Sequence, residues 1–154
     1  MNHIKGSFCR IKKSWLSYKS KISYYFKMAE TRDYVLIVED EPDIAEYLAD
    51  EFNDKGYLVI QSEEFSDAAL KADTQKFKLV LSDLRLKTGT GAQLVKHIKA
   101  NNRHINYDTP IVMISSWLTS EVIHDLESQI DHAFVKPICF EAVANKCIEI
   151  MNSL

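Results

Sequence analysis

The sequence predicts a doubly wound α/β domain, a five-stranded parallel sheet with helices on both faces. Two observations predict it. Short apolar runs rich in β-branched residues recur from Tyr34 onward, and stretches with apolar residues at helical spacing separate them. Strands that alternate with helices in this way form parallel sheets covered on both sides. Right-handed crossovers then leave few topologies, and the expected strand order is 2-1-3-4-5. A chain of 154 residues with 46% apolar composition suits one such domain.

Each element has its own signal. Tyr34 to Val38 is apolar and β-branched, and so reads as a buried strand. Pro42 sits where a helix begins, and Ile44, Ala45, Leu48 and Phe52 follow at helical spacing. Gly56 ends that helix. Tyr57 to Ile60 is the second strand, and Phe65, Ala68, Ala69 and Ala72 mark the second helix. Lys78 to Ser82 is the third strand. A glycine-containing loop follows it, then a helix that turns Leu94, Val95 and Ile98 inward. Pro110 to Ser115 is the fourth strand, and Val122, Ile123 and Leu126 mark the helix after it. Ala133 to Val135 is a short fifth strand. Pro137 opens a last helix with Phe140, Val143, Ala144, Cys147, Ile148 and Met151 on one side. The sequence stops with this helix, and no attached output domain is expected.

The net charge of −3 hides an asymmetry. The first 27 residues carry seven Lys/Arg and no acid, whereas the remainder carries twelve Lys/Arg and twenty-two Asp/Glu. Residues 33–154 form the expected domain. Residues 1–27 are a basic extension. An over-extended start is the favoured reading, because Met28 precedes a natural domain opening; a disordered tail or a weakly amphipathic targeting segment are the alternatives. An acidic body argues against direct nucleic-acid binding, which rests on Lys/Arg meeting phosphates. No stretch approaches a membrane span. Cys9, Cys139 and Cys147 form no paired motif. Cys139 and Cys147 read as buried thiols, which fits a reducing cytoplasm.

The polar residues fall at the strand ends. The first strand runs into Glu39, Asp40 and Glu41, the third into Asp83, the fourth ends at Ser115, and the fifth runs into Lys136. In an open α/β sheet these carboxyl ends share one edge, and ligands bind where the strand order reverses. In the order 2-1-3-4-5 that crevice gathers Glu39, Asp40 and Asp83. Three clustered carboxylates repel one another unless some are protonated or a cation neutralises them. Mg²⁺ suits this donor set, because it takes one or two carboxylates with water and phosphate oxygens. A phosphoryl group on Asp83 would place its oxygens among the metal, Ser115 and Lys136, where positioning and charge neutralisation carry the transfer. Taken singly, each feature is ordinary. Glu41-Pro42 fits a helix cap, Asp83 a turn residue, Ser115 a loop hydroxyl and Lys136-Pro137 a helix start. Their joint order at the strand ends carries the functional reading.

These segments resemble the response-regulator receiver family of two-component systems, in its stand-alone, chemotaxis-regulator-like form with a flavodoxin-like fold. VLIVEDEPDIAEYL resembles the family's first strand and acidic pair. LVLSDLRL resembles its phosphoacceptor strand, PIVMISS the segment ending in its Thr or Ser, and FVKPI its Lys-Pro. The resemblance implies that Glu39 and Asp40 bind Mg²⁺ with Asp83 and the Arg85 backbone carbonyl. It implies that Asp83 is the phosphoacceptor, that Ser115 and Lys136 bind the phosphoryl group, and that the Lys136–Pro137 bond is often cis. The implied partners are a histidine kinase or histidine phosphotransfer protein and a downstream protein, in the cytoplasm, with a homodimer left open.

Three departures from the family pattern stand out. Lys87 replaces the usual proline and Thr90 precedes Gly91, so the loop from Asp83 to Gly91 is expected to be more mobile or to meet a different partner. Ala133 occupies the aromatic switch position, with Phe134 beside it. Trp117 stands two residues after Ser115, where its bulk is expected to slow self-dephosphorylation. His124 and His132 are expected at the surface. Phosphorylation is expected to act chiefly through the last two helices and the fifth strand. A phosphorylation-independent adaptor is the alternative function. A phosphatase enzyme is disfavoured, because Arg85 stands where such enzymes carry a second acid.

Overall fold

The computed structural model describes residues 33–117, 119 and 124–153. Asp33–Leu154 forms one compact unit. The readings of residues 1–27, Val122 and Ile123 lie outside the described residues. Five strands form one parallel sheet in the order β2-β1-β3-β4-β5. They are β1 (Tyr34–Val38), β2 (Leu58–Ser62), β3 (Leu79–Asp83), β4 (Ile111–Ser115) and β5 (His132–Val135). The named helices are α1 (Pro42–Asp54), α2 (Phe65–Thr74), α3 (Gly91–Lys99) and a C-terminal helix, Phe140–Ser153. His124–Leu126 is also helical.

Side chains alternate across each strand, so the sheet splits the core in two. Leu36, Val38, Val80, Ile111 and Met113 face α2, α3 and Leu126. Val35, Ile37, Leu79, Leu81, Val112 and Ile114 face α1 and the C-terminal helix. Helices therefore cover both faces. Each fully buried Leu, Ile or Phe contributes about 1.5–3 kcal/mol relative to exposure.

Several boundaries differ from the sequence expectation. The second strand starts at Leu58, because Tyr57 N–H still donates to Phe52 O in the cap of α1. It runs to Ser62, through Gln61 and Ser62, which an apolar pattern does not flag. Gly56 ends α1 as expected, at φ +89° with its N–H on Asn53 O. The third strand shifts by one residue and includes Asp83, which pairs with Ile114. Pro137 does not open the last helix, which starts at Phe140; the Lys136–Pro137 bond is cis. Cys139 lies ahead of that helix and is exposed, contrary to the buried reading, whereas Cys147 is buried. His124 is exposed, and His132 is half-buried with its ring edge-on to Phe134.

Two glycines fix how closely the loop after β3 packs. Gly91 begins α3 against the end of β3, where an added Cβ would stand 2.2 Å from Asp83 O. Gly89 adopts φ +73°, and a Cβ there would meet Phe65 Cβ at 2.6 Å. Thr90 caps α3 in a capping box with Gln93. Thr88 O accepts from Phe65 N–H, and Thr88 Oγ1 donates to Glu64. The unusual loop is thus tied to the start of α2 within its own chain.

Candidate functional site

Strand ends build the site. β1 delivers Glu39 and Asp40, β3 ends on Asp83, β4 ends on Ser115, and β5 leads into Lys136. Parallel pairing puts all four ends on one edge. Leu84 N–H donates to Ile114 O, and Lys136 N–H donates to Ser115 O. Those two bonds carry the sheet register into the site.

Glu39, Asp40 and Asp83 each place a carboxylate oxygen within 4.8 Å of the others. Glu39 is 2% exposed and Asp83 7%. Lys136 reaches into this cluster. Its Nζ donates to Asp83 Oδ2 at 2.6 Å, Glu41 Oε1 at 2.9 Å and Glu39 Oε1 at 3.2 Å. Asp83 Oδ1 accepts from Arg85 N–H at 3.0 Å, and Glu39 Oε1 also accepts from Glu41 N–H. Glu39 Oε2 stands 3.0 Å from Nζ, yet makes no directed hydrogen bond and is buried.

Burial pushes the Glu39 carboxyl up to about 7, and the Asp83 charge adds to that, against the pull of Lys136. Burial also pulls the Lys136 ammonium down. Its hydrogen bonds to Asp83, Glu41 and Glu39 outweigh this and hold it above the ordinary lysine range. The edge is therefore short of positive charge, with four carboxylates around one ammonium. A buried carboxylate oxygen without a directed partner, in an all-oxygen donor set, fits a hard divalent cation.

Ser115 is 1% exposed. Its hydroxyl donates to Trp117 O at 2.8 Å and accepts from Trp117 N–H at 3.0 Å, so it is held in its own turn. Trp117 is 71% exposed. Ala133 packs toward the α2–α3 face and Phe134 toward the opposite one, so Phe134 does not stand in for the missing aromatic. The Arg85 side chain is exposed. Glu41 is the residue the sequence reading undervalued. It occupies the N-cap position of α1 but makes no side-chain cap; it reaches Lys136 instead. The available signal was chemical, since Glu is not among the preferred cap residues. A cleft of about 760 Å³ opens beside the cluster, lined by Glu39, Gln61, Ser62, Glu64, Asp67 and Lys71 among others.

Comparison with known proteins places this geometry. Residues 35–147 match the family model for the response regulator receiver domain. The phosphate regulon transcriptional regulatory protein PhoB of Escherichia coli is 29% identical over 121 residues, which are 78% of this chain and 52% of PhoB. The chain thus spans about half the length of the curated relatives it matches. Among solved structures, a CheY-like receiver domain protein from Methanospirillum hungatei is similar with a TM-score of 0.71 and 21% identity. The match covers 80% of this chain and 96% of that one. The receiver domain of the Pseudomonas aeruginosa sensor histidine kinase PA1611, solved with magnesium coordinated in its active-site cleft, gives a TM-score of 0.68 at 20% identity. It covers 79% of this chain and 99% of its own.

Proposed function

We propose, because this chain belongs to the response regulator receiver domain family, that it accepts a phosphoryl group on Asp83 from a histidine kinase or histidine phosphotransfer protein. One observation carries the reading: Lys136 Nζ sits 2.6 Å from Asp83 Oδ2 inside a buried carboxylate cluster. In the transfer, an Asp83 carboxylate oxygen attacks phosphorus. The bond from phosphorus to the donor imidazole nitrogen breaks, and that nitrogen keeps the electron pair. The product is an acyl phosphate on Asp83.

Glu39, Asp40, Asp83 and the Arg85 carbonyl would hold Mg²⁺, which when bound supplies the positive charge that carboxylates and phosphoryl oxygens need. The chain's own groups do the rest. Lys136 moves its hydrogen bond from Asp83 Oδ2 to a phosphoryl oxygen. Ser115 exchanges its bond to Trp117 O for another phosphoryl oxygen, and this pulls the β4 end inward. That displacement is the signal, read by a protein partner in the cytoplasm through the β4–β5 side of the domain. Dimerisation is one form such contact could take.

The test is intact mass of the full chain after incubation with acetyl phosphate, with and without Mg²⁺. The expected outcome is one added phosphoryl group that needs Mg²⁺ and is absent from Asp83→Ala. A folded protein that gains nothing from acetyl phosphate or from phosphorylated histidine donors overturns the reading. Ala133, too small to act as the usual aromatic switch, favours one second reading, an adaptor that works without phosphorylation. Partner binding unchanged by phosphorylation would support it.

A further inference from the structure

We propose that Asp73, His97 and His104 form a second metal site, for a divalent transition-metal ion such as Zn²⁺, at the end of the domain opposite Asp83. Three separate elements converge there. Asp73 lies at the end of α2, His97 in the last turn of α3, and His104 in the connection from α3 to β4. Helices in this fold run antiparallel to the strands, so their ends lie at the amino-terminal edge of the sheet.

The geometry is close to that of a three-ligand site. Asp73 Oδ1 lies 2.8 Å from His97 Nε2 and 2.9 Å from His104 Nε2, and ligand atoms of all three fall within 4.8 Å of one another. Donors at Zn–N and Zn–O distances in a tetrahedral site stand roughly 3.3 Å apart, so a small spread admits the ion. The rings are already oriented. His97 meets His104 edge-on at 5.6 Å and Phe65 edge-on at 6.3 Å. His104 is largely buried, and Asn106 N–H donates to its Nδ1. Asp73 and His97 are exposed enough to leave a fourth position for water. Two imidazoles and one carboxylate suit Zn²⁺ or Co²⁺, whereas the all-oxygen cluster at Asp83 suits Mg²⁺.

Metal binding has a defined cost. With Nδ1 accepting from Asn106, the neutral His104 ring carries its proton on Nε2, aimed at Asp73. Ligation through Nε2 moves that proton to Nδ1 and breaks the Asn106 bond. Affinity should therefore fall below that of a structural zinc centre, whose ligands need no such rearrangement. The bound ion would fasten α2 to α3 and to the following loop, independent of the phosphorylation site.

Co²⁺ titration of the reduced full chain in excess Mg²⁺ tests this. The expected result is one equivalent bound with the strong visible absorption of four-coordinate Co²⁺. The band should persist in Asp83→Asn and Cys139→Ser, and vanish in His104→Gln and in His97→Gln, the second a half-buried position outside the core whose folding is checked by an unchanged far-UV spectrum. Absence of the band, or its survival in His97→Gln, overturns the proposal.

Discussion

The two ends of the sheet bury polar side chains in opposite ways. At the amino-terminal end, Asn106 is fully buried and completely satisfied. Its Oδ1 accepts from Phe77 N–H at 2.8 Å and Thr109 Oγ1 at 2.9 Å, and its Nδ2 donates to Ala72 O and Gln75 O at 2.7 Å each. That is the full capacity of an amide. Lys99 adds bonds to the carbonyls of Tyr107 and Thr109. At the carboxyl end, like charges crowd together, and Glu39 Oε2 is buried without a directed partner. Every polar atom of the Asn106 amide is paired within the chain. The carboxyl end is left short of positive charge, with four carboxylates and one ammonium, which fits the cation proposed there.

The largest effect should come from the satisfied end. Asn106→Leu strands Phe77 N–H and takes the amide donor from the Ala72 and Gln75 carbonyls, while the Thr109 hydroxyl keeps Phe77 O as acceptor; it should cost about 3–5 kcal/mol in denaturant unfolding. The comparison breaks if that cost is below about 1 kcal/mol.

The unsatisfied end should behave in reverse, since removing charge there relieves strain. Glu39 keeps its proton up to about 7 in the folded chain but only to 4.5 when unfolded. Between those values the folded state binds the extra proton, so stability falls as pH rises through the window and levels off above it. The total is a few kcal/mol. Glu39→Gln should abolish this slope in thermal melts without metal, and weaken Mg²⁺ binding at least tenfold. Stabilisation by Mg²⁺ should grow with pH in the parent chain. A slope that persists in Glu39→Gln would assign it to other groups.

Gly91→Ala forces a Cβ onto Asp83 O, and should cost about 1–3 kcal/mol while lowering phosphoryl uptake, because the strand end that carries Asp83 must move. Trp117→Ala should be the mildest for stability, within about 0.5 kcal/mol, because the side chain is exposed. Its signature would be kinetic, a shorter phosphoryl lifetime on Asp83 once water gains access. An unchanged lifetime would remove Trp117 from the account.

Much of this contrast was legible in the sequence, but only at one end. The five strands carried clear β-branched runs, and Glu39, Asp40, Asp83, Ser115 and Lys136 fell in order at their ends, so fold and cluster could both be read. Three things could not. Asn106 lies in a connection without periodicity, and only tertiary packing shows that its amide closes the core. Gln61, Ser62 and Asp83 extend strands with polar residues, which an apolar pattern places outside them. Asp73, His97 and His104 sit on separate elements, and their spacing matches no local metal motif.

The most direct test compares backbone amide spectra of the full chain before and after phosphorylation by acetyl phosphate with Mg²⁺. The expected result is that resonances of Glu39, Asp83, Ser115, Trp117 and Lys136 move, while those of Phe77, Asn106 and Thr109 stay in place. Spectra that do not change at the carboxyl end under any phosphodonor would contradict it.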